Sequence, residues 1–375
     1  MAALSPRRAR WSCLIVSLLL AACPAAPAQE PRPRALFEPA GTDRLLIIGQ
    51  DLGAVGGFEA PNNNGYTDHV PLKPAGVTTY LILPWLLGMK MKINFGTGDL
   101  WAQGIVDNPV YKDSVLAIGL HLVGQLERIA AGAQDDRITL LAEWVRAAKR
   151  PVYLRIGYEF DGSWNKYETK AYQEAYRHIV KKFRELNVTN CAMVWQSATS
   201  PVNGNKAKDI ALWYPGDEYV DWVGCSWFLN SKEQVTLTDR LLAFAREHRK
   251  PVMICESAPQ GYDLVRLTRG SIFAGKDRKA KTPEVIWKEW YGPFFSYIDT
   301  NRDIIRVVAY INVNWDAQLM WGPPYRQGYW GDSRVEANEV IKAKWLETVT
   351  TESGWLHASP ELFKKLGYEK ADGKE

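Results

Sequence analysis

Two short aliphatic runs of this chain each end in a glutamate, a side chain that can act as an acid, a base or a nucleophile. PVYLRIGYEFDGSWN, residues 151–165, contains Glu159, and PVMICESAP, residues 251–259, contains Glu256. Each run has the composition of a buried strand and is followed by small or turn-forming residues. Strand ends form one face of a parallel α/β barrel, so we expect the two carboxylates to converge there. Two convergent carboxylates suggest cleavage of a glycosidic bond.

Arg155 strengthens this interpretation of Glu159. A glutamate at a strand end is more often a solvated loop residue or an ion-pair partner than a catalytic group. Arg155 lies four residues before Glu159, so strand alternation predicts that both side chains point to the same face. A guanidinium there can hold a carboxylate and sugar hydroxyls.

The segment around Glu159 also resembles a known family. RIGYEFDGSW, residues 155–164, is similar to the fourth-strand signature of glycoside hydrolase family 26, approximately R-x-x-H-E-M-N-G-x-W. This is the β-mannanase family of the clan A retaining barrels. Three further segments resemble its fifth strand, its turn into the sixth strand and its seventh strand: CAMVWQSA (191–198), YPGDEYVDWVGCSWF (214–228) and MICESA (253–258). The resemblance covers about residues 150–260.

The resemblance implies roles for particular residues. Glu159 matches the general acid/base and Glu256 the nucleophile, while Arg155 and Trp164 match residues that shape the site around the acid. Tyr158 stands where the family usually has histidine. Trp227 stands where it has a tyrosine that hydrogen-bonds the nucleophile. An indole N–H can donate to a carboxylate, so we expect the Trp227 N–H about 3 Å from Glu256 or from a neighbouring sugar hydroxyl.

Other candidate substrate contacts follow predicted strands. Trp315 comes just past the eighth strand, where related families place a ring under the sugar at subsite −1. His121, just past the third strand, is equally a substrate contact or an ordinary loop histidine. We expect further rings to line an open cleft suited to internal cuts in a polysaccharide: Trp287, Trp290, Tyr291, Trp321, Tyr325, Tyr329 and Trp330.

The resemblance makes β-mannan the expected substrate and leaves alternatives. β-1,3-Xylan and β-glucans are also substrates of the family, and the substitutions at Tyr158 and Trp227 favour keeping them open. A non-catalytic carbohydrate-binding lipoprotein is an alternative of another class. The paired glutamates argue against it, because a binding module needs the rings but not two carboxylates.

The pattern of strands and helices predicts how these residues are positioned. Strands are expected at 44–53, 91–96 and 114–122, from residue 152, within the three segments of the resemblance, and at 304–316. Helices are expected at 138–149, 171–186 and 239–249. This alternation predicts an α/β fold, a single (β/α)8 TIM barrel over residues 44–370 with aromatic-rich loops after strands 7 and 8.

The amino-terminal segment predicts export. Residues 1–22 have a basic start and a short apolar core, which indicates a signal peptide. Residues 20–23, Leu-Ala-Ala-Cys, resemble a bacterial lipobox, so we expect a lipid anchor on Cys23 at the cell envelope. Residues 26–28, Ala-Pro-Ala, also fit an ordinary cleavage site, which leaves a soluble secreted or periplasmic form open. Residues 23–43 are rich in proline and alanine and predict a tether.

Composition excludes several other classes. A net charge of +4 is too balanced to indicate a nucleic acid partner. Cys191, Cys225 and Cys255 are interpreted as buried thiols rather than a disulfide framework, with Cys255 facing the helices, opposite to Glu256. The sequence has no H-E-x-x-H, C-x-x-C, phosphate-loop or G-x-S-x-G motif. We therefore expect no metal and no cofactor, and a monomer that acts on a polysaccharide or oligosaccharide.

Overall fold

Eight parallel strands close into a barrel in a computed structural model, which describes residues 32–203 and 209–369. Each strand pairs with the next one, and the last strand pairs with the first. The predicted single (β/α)8 barrel is confirmed. The strands are β1 Arg44–Gly49, β2 Gly76–Ile82, β3 Val115–His121, β4 Val152–Ile156, β5 Cys191–Ser197, β6 Trp222–Trp227, β7 Val252–Ser257 and β8 Ile305–Ile311.

Successive residues of a strand face the barrel interior and the surrounding helices in turn. In β1, Leu45 and Ile47 belong to the interior core, whereas Leu46 and Ile48 belong to the core under the helices. All four side chains are fully buried. Burial on both faces explains why the barrel strands are nearly continuous aliphatic runs.

The second strand lies elsewhere than the sequence pattern predicts. β2 is the run GVTTYLI at 76–82, which pairs with β3 from Gly76 opposite Val115 to Ile82 opposite His121. The predicted strand at 91–96 lies in the loop after β2, where Ile93 makes an isolated antiparallel bridge to Leu100. The segment at 91–96 contains Lys92 and Asn94 and is largely exposed, whereas β2 is richer in β-branched residues and pairs with β3 along its whole length.

Helices follow most of the strands on the outside of the barrel. The longer ones are α1 Asp135–Ala147, α2 Thr169–Glu185, α3 Lys232–Glu247, α4 Gly292–Thr300 and α5 Glu339–Thr348. α3 begins seven residues before the predicted start, because Ser231 caps it by accepting a hydrogen bond from the amide of Gln234. Shorter helices are Leu52–Val55, Tyr66–His69, Ala102–Asp107, Leu126–Ala130, Pro283–Ile286 and Leu362–Lys365, and Trp287–Tyr291 forms a π-helical turn.

The end of the predicted tether packs against the barrel. Phe37 is buried, and its carbonyl accepts a hydrogen bond from the hydroxyl of Tyr153 near the start of β4. The indole of Trp222, the first residue of β6, donates to the carbonyl of Leu36. The tether predicted for residues 23–43 is therefore too long, since residues 36–43 form part of the amino-terminal end of the barrel.

The predicted signal peptide and Cys23 lie outside the described residues. Within the part of the chain that the structure describes, we find no helix long and apolar enough to cross a membrane.

Candidate active site

Glu159 lies in a turn just beyond β4. Gly157 has φ of 54° and Glu159 has φ of 52°, so the chain leaves the extended conformation before the carboxylate. A positive φ is uncommon for a residue with a side chain and requires support from its surroundings. Asn165 supplies part of it by donating to the carbonyls of Tyr158 and Glu159 at 3.0 and 2.9 Å.

Asp161 ties the same turn to β5. Its carboxylate accepts from the hydroxyl of Ser197 and from the amide of Ala198, both at 2.7 Å. The amide of Phe160 donates to the carbonyl of Gln196 at 3.1 Å. The backbone that carries Glu159 is thereby fixed to the neighbouring strand by three hydrogen bonds.

The Glu159 carboxylate accepts two side-chain hydrogen bonds. Ser226 of β6 donates to Oε1 at 2.7 Å, and the indole of Trp164 donates to Oε2 at 3.0 Å. Glu159 itself is 9% exposed, whereas Trp164 is 47% exposed. The site therefore combines a buried carboxyl with a half-exposed aromatic ring.

Glu256 reaches the barrel interior through a β-bulge. β6 and β7 pair in register up to Cys225 opposite Ile254, after which Ser226 pairs with Glu256 and Cys255 is left over. A bulge of this kind re-aims the side chain that follows it. The interior core contains Met253 and Cys255, and Glu256 also points inward, toward Arg155.

Arg155 neutralises Glu256 inside the barrel. Its Nη1 donates to Glu256 Oε1 at 2.7 Å and to Gln196 Oε1 at 3.2 Å, and its Nη2 donates to Thr78 at 3.0 Å. The Arg155 side chain has no exposed surface. Arg155 thus places a buried positive charge directly beside the Glu256 carboxylate.

A chain of polar contacts links the two carboxylates. Gln196 Nε2 donates to Glu256 Oε1 at 3.3 Å and to Ser226 Oγ at 3.1 Å, and Ser226 in turn donates to Glu159. We call Gln196 and Ser226 the polar bridge. It shows that the ends of β4 and β7 present their glutamates to one shared space, as the sequence predicts.

The two glutamates have different electrostatic surroundings. Burial and, second to it, the negative charge of Glu256 together raise the pKa of Glu159 from 4.5 to about 8, against the lowering effect of the Ser226 hydrogen bond. Glu159 is therefore protonated at neutral pH, while Glu256 has a buried cationic partner. Divergent environments of this kind distinguish an acid from a nucleophile.

Aromatic rings surround the Arg155 and Glu256 pair. The Arg155 guanidinium lies over the rings of Tyr80 and Tyr158, at 4.8 and 5.6 Å from their centroids. His121 lies beside Tyr158, with ring centroids 6.5 Å apart, and burial lowers the His121 pKa. Tyr158 and His121, both expected at the site, are thus close together at the ends of β4 and β3.

Two expectations for β6 and β7 are wrong. Trp227 points away from the site and packs against Phe294 and Tyr297 of α4, and its indole N–H has no partner among the described residues. Cys255 belongs to the interior core rather than facing the helices. The Cys255 error follows from the bulge, because simple alternation along β7 cannot place Cys255 and Glu256 on the same side. Trp227 follows the ordinary alternation of β6, in which Trp222 belongs to the interior core and Trp227 to the core under the helices.

Several aromatic residues predicted to line the cleft are instead core residues. Trp315 is only 3% exposed and donates to Ser333, so it offers almost no surface to a sugar. Trp290 and Tyr291 pack under the helices around Tyr310 and are buried. After β8, partial exposure is found at Trp321, Tyr325 and Trp330.

Sequence reasoning missed Gln196, Ser226, Thr78 and Tyr80. The first three are polar side chains within otherwise aliphatic barrel strands. A polar residue at an interior position needs a hydrogen-bond partner, and that requirement is the signal that could have identified them. Among the described residues, no group of three or more histidine, cysteine or acidic side chains is arranged to hold a metal ion.

Comparison with known proteins identifies the class of this barrel. The model of glycosyl hydrolase family 26 matches residues 112–260. A protein named "Beta-1,3-xylanase TXYA" from a Vibrio species is 38% identical over 336 residues, 88% of this chain and 69% of that protein. A β-1,3-xylanase from an Alcaligenes species is 36% identical over 336 residues, 88% of this chain and 68% of that protein.

Solved structures agree on the fold. A modular endo-β-1,4-mannanase from Cellulomonas fimi superposes with a TM-score of 0.58 at 14% identity, covering 88% of this chain and 79% of the mannanase. The chain belongs to glycosyl hydrolase family 26, and it is a glycoside hydrolase.

Proposed function

We propose that this enzyme is a retaining endo-β-1,3-xylanase in which Glu256 is the nucleophile and Glu159 the general acid/base. The observation that carries the proposed roles is the polar bridge, which brings two carboxylates with opposite electrostatic surroundings to one space. Retaining enzymes need one ionised and one protonated carboxyl flanking the scissile bond.

In the first step, Glu256 attacks the anomeric carbon while Glu159 protonates the leaving oxygen. The bond from the anomeric carbon to the leaving sugar breaks, and a glycosyl ester of Glu256 forms. Esterification removes the Glu256 charge, which is one cause of the raised Glu159 pKa. The pKa of Glu159 therefore falls at the moment when Glu159 must accept a proton from water to release the sugar.

The substrate proposal depends on the relatives whose sequences align with most of this chain. Two β-1,3-xylanases align with 88% of this chain at 38 and 36% identity. The C. fimi mannanase is only 14% identical and supports the fold alone. β-1,3-Xylan therefore replaces β-mannan, the family's commonest substrate, as our first candidate.

Reducing-end release from insoluble and soluble β-1,3-xylan, β-mannan, β-1,4-xylan and β-1,3-glucan tests the substrate. We expect β-1,3-xylan to give the highest kcat/KM, with oligosaccharides of mixed length as the first products. Faster release from β-mannan would overturn the substrate proposal, and short products from chain ends alone would overturn internal cleavage.

Single substitutions test the roles. Glu256→Ala should lower turnover of every substrate by on the order of 10⁴-fold or more, because no covalent intermediate can form. Glu159→Ala should lose about 10²–10⁴-fold on polysaccharide, yet retain the first step on an aryl glycoside with an activated leaving group, and azide should accelerate the second step. Equal losses on both substrates without azide rescue would contradict the role of Glu159.

A crystal structure tests the stereochemical outcome. For retention we expect the Glu159 and Glu256 carboxyl groups about 5–5.5 Å apart, whereas a separation of about 6.5–9.5 Å would indicate inversion. Proton NMR of the first anomer released from xylooligosaccharides gives the same answer independently.

We also propose that the protein is exported as a monomer anchored through a lipid on Cys23. The basic and apolar leader at residues 1–22 and the sequence Leu-Ala-Ala-Cys at 20–23 support this. Palmitate labelling that is lost in Cys23→Ser would support the anchor, whereas release of unlabelled protein cut after Ala28 would contradict it. Light scattering of the purified protein tests the monomer.

A further inference from the structure

We propose that Gly224 and Cys255 position Glu256. Because Gly224 has no side chain, the Cys255 thiol can occupy the space beside it. This inference rests on the proposed role of Glu256 as nucleophile. It concerns how the glutamate reaches the site, not whether the glutamate reacts.

The alternation of β7 shows what the bulge changes. Val252 and Ile254 belong to the core under the helices, whereas Met253 and Cys255 belong to the interior core. Continued alternation would point Glu256 outward, toward the helices. The extra residue at Cys255 lets two successive side chains face the interior, so Glu256 reaches Arg155.

Gly224 is the residue of β6 that makes room for this arrangement. A Cβ built at Gly224 would lie 2.6 Å from Cys255 Sγ, shorter than any ordinary contact between these atoms. The same Cβ would lie 3.1 Å from Gln196 Cβ and 3.1 Å from Val194 Cγ1. A methyl group at Gly224 would therefore overlap the Cys255 thiol in the bulge and also crowd Gln196 of the polar bridge.

The thiol has little freedom to give way. Cys255 has no exposed surface, and its Sγ lies 3.5 Å from the carbonyl oxygen of Met253. Close packing in the interior leaves few alternative rotamers. We infer that an added methyl at Gly224 shifts the bulge, and with it Glu256, rather than the thiol alone.

A double-mutant cycle tests the pair. Gly224→Ala should lower kcat on β-1,3-xylan by about tenfold to a hundredfold, with KM within about twofold, because the reacting carboxylate moves while the cleft remains. Cys255→Ala should lower kcat about fivefold or less. The double variant should be closer to wild type than Gly224→Ala, because the new methyl then occupies the space of the thiol.

Gly76→Ala is the matched control. A Cβ at Gly76 of β2 would lie 2.6 Å from Val115 Cγ2, the same overlap at a position that lies outside the polar bridge. We expect Gly76→Ala to lower the melting temperature and to leave kcat of the folded enzyme within about twofold of wild type. Adding Cys255→Ala to this variant should raise neither kcat nor the melting temperature.

Covalent labelling separates positioning from stability. With 2-deoxy-2-fluoroxylobiosyl fluoride as the probe, mass spectrometry measures the rate at which Glu256 is glycosylated. This rate should fall in Gly224→Ala in parallel with kcat and recover in the double variant. If Gly224→Ala does not fold, Cys255→Val, which adds bulk from the other strand, should show the same slow labelling against a near-normal rate in Cys255→Ser.

Two failures are distinguishable. Full activity of Glu256→Ala would remove the proposed function and this inference together. If Glu256→Ala is inactive but Gly224→Ala labels at the wild-type rate, or the double variant is no better than Gly224→Ala, the positioning role is overturned and the proposed function stands.

Discussion

The two glutamates are held by different kinds of backbone. Glu159 lies in a turn with φ of 52° beyond β4, fixed by hydrogen bonds from Asn165 and through Asp161. Glu256 lies within β7 itself, on a bulge, with Arg155 as its buried partner. The turn buries the carboxyl of Glu159 without a cationic partner of its own among the described residues, whereas β4 supplies Arg155 as the cation beside Glu256 on β7. One barrel thus gives two carboxyl groups opposite electrostatic surroundings, a neighbouring negative charge for Glu159 and a buried cation for Glu256.

Removing the cation should produce the largest effect on this contrast. Arg155→Met leaves Glu256 buried without a partner, which should lower the free energy of unfolding by about 3–5 kcal/mol. It should also lower kcat/KM by roughly a hundredfold or more, because Glu256 loses the hydrogen bond and the positive charge that hold its carboxylate in place. Urea denaturation and steady-state kinetics measure the two quantities.

Arg150→Met is the matched control for Arg155→Met. Arg150 is also buried, but it donates to the backbone carbonyls of Tyr111, Ser114 and Val106. We expect Arg150→Met to lower the free energy of unfolding without changing kcat of the folded enzyme. An equal loss of kcat in both variants would show that Arg155 acts only through stability.

Glu159 should contribute a pH-dependent instability. Its folded pKa is raised, so between about pH 4.5 and 8 the folded state binds more protons than the unfolded state, and stability falls as pH rises. Glu159→Gln should therefore be more stable than wild type at pH 8, by on the order of 4 kcal/mol, and nearly equal at pH 4.5. Denaturation curves at both pH values check this.

Glu336→Gln is the control for that experiment. Burial raises the pKa of Glu336 to about 7, and its carboxylate accepts from Asn312 rather than from the polar bridge. It should gain stability at alkaline pH in the same direction and remain active. A stability difference for Glu159→Gln that does not change with pH would contradict the raised pKa.

The pH profile should sharpen the comparison further. kcat/KM should fall above about pH 8 as Glu159 loses its proton. Ser226 donates to Glu159 and lowers its pKa, so Ser226→Ala should move this alkaline limb upward, by roughly one pH unit for a hydrogen bond of about 1.4 kcal/mol. Ser257→Ala, whose hydroxyl donates to the carbonyl of Ala309, should leave the limb in place. An unmoved limb in Ser226→Ala would show that another group titrates.

The smallest effect is expected at Trp227. Its ring packs against α4 and its N–H has no partner in the described part of the chain, so Trp227→Phe should change kcat by less than about twofold. Trp164→Phe removes a donor to Glu159 and should lower kcat/KM by about tenfold. Similar losses in the two variants would restore the role that the sequence predicts for Trp227.

The sequence contains enough to predict the barrel and to place Glu159 and Glu256 near the carboxyl ends of β4 and β7, because an aliphatic run that closes on a glutamate is a local feature. The bulge at Cys255 is not local. It depends on the pairing of β7 with β6, and it reverses the side on which Cys255 is expected to lie. The polar bridge is equally hidden, since Gln196 and Ser226 acquire a function only when β5 and β6 are placed between β4 and β7. Trp315 and Trp290 lie near strand ends, as cleft residues would, and the sequence does not show that packing buries both rings in the core.

Leu36 and Phe37 pack against the start of β4 and β6, at one particular end of the barrel. The chain joins the barrel at the end opposite to the carboxyl ends of the strands, where the candidate active site lies. Leu36 and Phe37 thus close the end of the barrel away from the candidate active site. Substitutions at these two residues should therefore change stability and leave the approach of a large polymer to the site unaffected.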